Sequence, residues 1–200
     1  MFEKEIVIDA KGHLMGRLAA SVAKELLSGQ RVVVVRVEQL VCSGLLFNRK
    51  TDYLAWKELQ SNSNPRKGGP YHFKAPSKLF WKAVKGMVPR KTARGKAALE
   101  RLKIFEGCPF PYSHKKKFVA PKCLKVLRLK FGRKSGLLGD LCTQVGWNKA
   151  DLVKKLEEKR LARAEQYHTA KKTLDSKIND SLKANKEVQD LKKQLADFGF

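Results

Sequence analysis

The stretch from Ile6 to Val35, which opens Ile6-Val7-Ile8 and closes Val32-Val33-Val34-Val35, decides the fold. Between its ends Leu14, Leu18, Val22 and Leu26 recur at helical spacing, and Gly29 supplies a stop. The unbroken valine run suits a parallel strand buried on both faces. Branching at Cβ restricts χ1 to what a pleated surface favours, and a strand with a wet face would alternate with polar residues. Strand, helix and strand within about 30 residues make a βαβ unit with an expected right-handed crossover. The expected fold class is α/β.

Outward from this unit, Thr51 to Ser61 reads as a helix with Tyr53, Leu54, Trp56 and Leu59 turned inward. Asn62 to Pro76 holds three prolines and a Gly-Gly pair and should be an extended loop. Ser77 to Met87 is helical with Ser77 as N-cap, and Ala93 to Leu102 is a second short helix. Lys103-Ile104-Phe105 returns to strand, Gly107 to Pro121 is a basic loop, and Cys123 to Leu129 reads as a last strand or an extended arm. Gly139 to Val145 makes a short helix. Beyond Trp147 the chain changes character, so residues 1–148 are expected to form one domain and 149–200 a helical extension. In that extension Leu152, Val153, Leu156, Leu174, Ile178, Leu182, Val188, Leu191 and Leu195 leave a sparse apolar stripe.

Charge sets the partner class. The chain carries 43 basic against 19 acidic residues, a formal +24, with a pI near 10.1. Residues 1–148 hold 30 basic and 10 acidic residues, +20, and the rest only +4. From Asn62 to Lys134 there are 21 Lys and Arg against two acids, Glu100 and Glu106. Such a surplus repels itself in a compact state unless an anion neutralises it, and nucleic acid presents phosphates at that density. With 42% hydrophobic residues the chain can still build a core, which a disordered polycation cannot.

Within the basic stretch, aromatics and glycines mark the candidate contacts. Arg66, Lys67, Tyr71, His72 and Lys74 lie in a loop whose glycines let backbone approach a ligand. On the helical wheel of 77–87, Leu79, Phe80, Ala83, Val84 and Met87 gather on one side. Lys78, Lys82 and Lys85 form a stripe opposite, with Trp81 inside it. Trp81 is placed there either to stack on an exposed base or to pack under a neighbouring loop. Arg90, Lys91, Arg94 and Lys96 surround a helix start whose amides suit a phosphate. Lys115, Lys116, Lys117, Arg128, Lys130, Arg133 and Lys134 complete the footprint. Gly12-His13-Leu14-Met15-Gly16-Arg17 matches neither phosphate-loop template, so a tight βα turn is expected there, with Arg17 as a further contact.

Other classes find little support. Cys42, Cys108, Cys123 and Cys142 are 66, 15 and 19 positions apart, without a C-x-x-C pair, so neither zinc nor disulfides are expected and the thiols should be reduced and mostly buried. His13, His72, His114 and His168 are scattered, and no nucleophile elbow or metal-protease motif occurs, which argues against an enzyme and against any cofactor or small-molecule substrate. The opening Met1-Phe2-Glu3-Lys4-Glu5 is no signal peptide and no apolar run approaches a bilayer span, so a soluble intracellular protein without a membrane partner is expected.

Val84-Lys85-Gly86-Met87-Val88-Pro89, then Arg94-Gly95-Lys96-Ala97-Ala98-Leu99, then Leu102-Lys103-Ile104-Phe105-Glu106-Gly107 together resemble the signature of the universal L-thirteen family of large-subunit ribosomal proteins. Ile8-Asp9-Ala10, Gly12 and Gly16-Arg17-Leu18-Ala19 are similar to its opening. Tyr71-His72-Phe73-Lys74-Ala75-Pro76-Ser77 with Phe80-Trp81 is similar to the archaeal and eukaryotic thirteen-a branch. The resemblance covers about residues 4–148, and only Leu156-Glu157-Glu158-Lys159-Arg160 matches, loosely, in the tail. It implies a three-layer α/β/α domain around a small, mainly parallel sheet. It implies also a structural component of the large subunit that binds its ribosomal RNA during assembly, without enzymatic activity. Neighbouring ribosomal proteins would meet the C-terminal helices, and the location would be the cytoplasmic ribosome with nucleolar assembly in a eukaryote. The alternatives are a chromatin-type nucleic-acid-binding protein, for which no recognition motif is visible, and an RNA-modifying enzyme.

Overall fold

The protein is seen in a computed structural model that describes residues 4–66, 69–185, 189, 191 and 194–196. Strand β1 (Ile6–Asp9), helix α1 (Met15–Ser28) and strand β2 (Val32–Val35) form the expected βαβ unit, paired in parallel with Ile6 opposite Val32. Gly29 closes α1 at φ 115°, donating its N–H to the carbonyls of Glu25 and Leu26, a left-handed cap that a side chain would resist. No residue of β2 is more than 1% exposed, as its valine run requires.

The chain continues through a 3-10 turn (Val37–Gln39), β3 (Val41–Ser43), α2 (Leu46–Glu58), α3 (Pro76–Gly86) and α4 (Ala93–Glu100). It returns to the sheet as β4 (Leu102–Ile104), parallel to β2 with Leu102 opposite Val32. The sheet order is β1-β2-β4, so β4 is an edge among the described residues. Then come α5 (Phe110–Ser113), a 3-10 turn (Pro121–Cys123), α6 (Lys125–Arg128), β5 (Ser135–Leu137), α7 (Leu138–Gln144) and α8 (Ala150–Ala184). The sheet has two unequal faces. Val32 and Val34 share a large core with Leu18, Val22 and Leu26 of α1 and Phe80 and Val84 of α3. On the other face, among the described residues, Val7, Val33 and Val35 cluster with Tyr112 of α5, Phe105 and Cys108. The order of layers is α/β/α, one of them thin.

Local departures from the sequence reading have physical causes. Cys123 to Leu129 is neither strand nor arm. Pro121 starts a 3-10 turn, Leu129 donates back to Lys125, and the one sheet-like contact is an isolated bridge between Leu124 and His13, so the alternation of apolar and basic residues has no partner strand. The antiparallel pair β3-β5 is an addition to the expected elements, because three-residue strands are too short for periodicity to show. The N-cap of α3 is Ala75, with Pro76 as first helical residue, rather than Ser77. Met87 lies beyond the helix and is 45% exposed, and Leu54 and Leu59 are exposed too, leaving Tyr53 as the buried residue of α2.

Buried polar groups brace the carboxyl end of the sheet. Arg36, left-handed at φ 57°, forms a bidentate ion pair with Asp9. Its N–H donates to Gly107 O at 2.9 Å, and the Gly107 N–H donates to Glu38 Oε2 at 2.9 Å. Fully buried His13 accepts the Ala120 N–H at Nε2 (3.0 Å), so Nδ1 carries the proton it donates to Lys11 O.

The chain divides into two compact units between Lys154 and Lys155. Of the expected stripe, Leu152, Leu156, Leu174, Ile178 and Leu182 are each 40–57% exposed along α8, Val153 packs against the main core, and Val188 lies outside the described residues. Among the described residues no helix is long and apolar enough to cross a membrane.

Candidate nucleic-acid interface

Of the two acids in the basic stretch, Glu100 is exposed at the end of α4 and Glu106 is turned onto an internal partner. Glu106 accepts the Ser77 N–H at 3.2 Å and so caps α3 from outside the helix, and Glu38 holds Gly107. The cations stay outward. Among the described residues Lys115 is the one footprint cation joined to a carboxylate, that of Glu5 at 2.9 Å. That hydrogen bond is the main reason its ammonium holds its proton to higher pH than usual.

Helix α3 presents the densest part of the interface. Phe80 and Val84 are fully buried, while Lys78 and Lys82 are exposed on the opposite side. Trp81 is half-buried: it packs on the core edge and lines a shallow cleft of about 190 Å³ with Ser77, Lys78, Leu102 and Ile104. Lys78 Nζ and Lys85 Nζ lie 5.8 and 4.8 Å from its ring centroid, one turn away on either side, as cation–π contacts require. Trp81 thus combines a packed edge with a face flanked by ammonium groups.

The preceding loop is pinned to α2. Tyr53 donates its hydroxyl to Phe73 O at 2.9 Å, and the His72 ring stands edge-on to Trp56 at 4.8 Å with its Nε2 buried. Lys82, though exposed as a residue, rests its Nζ 3.2 Å from the Trp56 centroid, where partial desolvation of the ammonium lowers its pKa. Outside these, Tyr71 is 82% exposed and lies parallel to Phe73, at 6.2 Å between centroids. From sequence Trp56 reads as an inward residue only; its i, i+3 spacing from Tyr53 is the available signal that the two rings share a face.

The remaining predicted residues are spread more widely. Arg90, Lys91, Arg94 and Lys96 are exposed around the α3–α4 turn, where Thr92 caps α4 by accepting the Gly95 N–H at 3.2 Å. That amide is therefore already occupied. Arg66 and Lys74 are exposed on the loop, and Lys67 lies outside the described residues. Lys116 is exposed, Lys117 donates to Ser113 O, and Arg128 donates to Lys122 O. Lys130, Arg133 and Lys134 are exposed about a turn closed by the Arg133 N–H on Lys130 O. Arg17 shares a cleft of about 290 Å³ with Arg49 at the start of α1. The amides of Gly12, His13 and Leu14 donate to Gln39, Ala10 and Cys123, so these three are already occupied.

Such cations hold phosphates, and the aromatic faces beside them stack on bases. Cys42 and Cys142 are held as protonated thiols at neutral pH. Burial, then the proximity of Cys42 and Glu106, pushes Cys142 up to about 12, and burial raises Cys42 as well. Among the described residues no three His, Cys, Asp or Glu side chains are grouped to hold a metal.

Residues 3–111 match the family model described as Ribosomal protein L13. Over 205 aligned residues, covering all of both chains, the sequence is 52% identical to a Tetrahymena thermophila protein named "Large ribosomal subunit protein uL13".

Proposed function

Because this chain belongs to the ribosomal protein L13 family, a structural constituent of the large subunit and not an enzyme, we propose that its basic face binds large-subunit ribosomal RNA and stabilises it during assembly and in the mature particle. The observation that supports this most is the set of exposed cations on α3 and the α3–α4 turn, none of them joined to a carboxylate among the described residues, around the half-buried Trp81. Phosphates would supply the missing counter-charge, and Trp81 and Tyr71 would stack on unpaired bases. Neighbouring ribosomal proteins would cover the apolar stripe of α8, which the chain leaves exposed. On this reading the protein works in cytoplasmic ribosomes after nucleolar assembly. Sucrose-gradient sedimentation of a lysate tests it: the tagged protein should travel with large subunits through a high-salt wash, and release into the light fractions would contradict the proposal.

A further inference from the structure

Two strands of the parallel sheet are entered from an arginine, Arg31 ahead of β2 and Arg101 ahead of β4, and β1 is entered from Lys4-Glu5. The Ile6 N–H donates to Arg31 O at 3.0 Å and the Val32 N–H to Arg101 O at 3.1 Å, so these entries lie side by side at the ~4.8 Å spacing of neighbouring strands. With Lys103 and Lys115 they face a cleft of about 600 Å³. Its acids are Glu5 and Glu100, which leaves five positive charges against two negative. Arg101 Nη1 donates to Leu26 O at 3.0 Å and holds that guanidinium in place. Glu5 draws the ammonium groups of Lys115 and Lys103 to 2.9 and 3.8 Å.

The geometry points to a second phosphodiester-binding site in this cleft, reached around the open edge of β4. Leu102 and Ile104 line the cleft that holds Lys78 and Trp81, and alternation along the strand turns Lys103 to the opposite face. Basic surface therefore lies on both faces of one edge strand, which suits a polyanionic chain passing around it. A net surplus gathered in a concave site favours an anion over a neutral or basic surface. The inference rests on the RNA-binding reading above and adds Lys4, Arg31, Arg101 and Lys103 to its contacts.

Purified large-subunit ribosomal RNA is the probe, titrated against the full chain at several salt concentrations. Arg31→Ala with Lys103→Ala should weaken binding and make the log–log salt slope shallower by ~1.4 to 1.8, the share of two phosphate contacts. Glu5→Gln removes the carboxylate while keeping its shape and should tighten binding, a gain that a misfolded protein would not show. If both variants match the wild type in affinity and slope, the cleft holds no RNA and the inference falls while the RNA-binding reading stands. A wild type without salt-dependent affinity overturns both. Lysine acylation separates the remaining case: Lys103 shielded in intact large subunits, with both variants unchanged on RNA, assigns the cleft to a protein neighbour and overturns the inference.

Discussion

Phe80 and Trp81 are adjacent in sequence and opposite in surroundings. Phe80 is fully buried in the core it shares with α1 and α7, so Phe80→Ala should cost ~3 to 5 kcal/mol by denaturant unfolding. Trp81 is only half-buried, so Trp81→Ala should cost less, on the order of 2 kcal/mol, and should weaken RNA binding by about 1 to 3 kcal/mol. A Trp81→Ala protein with reduced stability and unchanged RNA affinity would leave the residue a packing role alone. Gly95 gives a sharper steric case. A Cβ there would lie 2.1 Å from Pro89 O, so Gly95→Ala should destabilise by roughly 1 to 3 kcal/mol, read in the same unfolding experiment. At this scale the sequence is legible where one helix wheel holds the whole answer, as for Phe80. It is opaque where partners come from distant segments: nothing local to Trp56 announces His72 on its edge or Lys82 on its face, and nothing local to Glu106 announces the Ser77 amide.

Elements show the same division. The β1-α1-β2 unit is readable because a strand buried on both faces needs a continuous apolar run, which Val32–Val35 supplies, and α1 repeats its apolar residues every turn. β3 and β5 are not, since their stability comes from pairing across more than ninety positions of chain rather than from propensity. Cap chemistry makes a modest prediction: Thr92→Ala removes the acceptor of the Gly95 N–H and should lower stability by about 1 kcal/mol. The first turn of α8 makes a larger one. Ala150 and Val153 pack against the main core, so a chain ending at Lys154 should unfold at higher denaturant than one ending at Trp147, by an amount on the order of 1 to 2 kcal/mol. Equal midpoints would show that this turn adds nothing to the domain. Beyond it, a peptide of residues 155–200 should be only partly helical by circular dichroism, because its apolar stripe has nothing in the peptide to lie on.

For the whole molecule, the carboxylates of Asp9, Glu38 and Glu106 are turned onto internal partners, which leaves the formal +24 to be neutralised from outside. The basic surplus is visible in composition; its distribution over both faces of the β4 edge is not, because it depends on strand order. The central claim is that this surface works through phosphates, and the salt dependence of affinity for large-subunit ribosomal RNA tests it most directly. Wild-type binding should weaken with salt by ~0.7 to 0.9 log units per log unit for each phosphate contact. Arg90→Ala, Lys91→Ala and Arg94→Ala combined should flatten that slope by roughly two to three contacts while leaving the unfolding midpoint near that of the wild type. An unchanged slope in the triple variant, with the protein still folded, would contradict the assignment of the α3–α4 turn to the RNA interface.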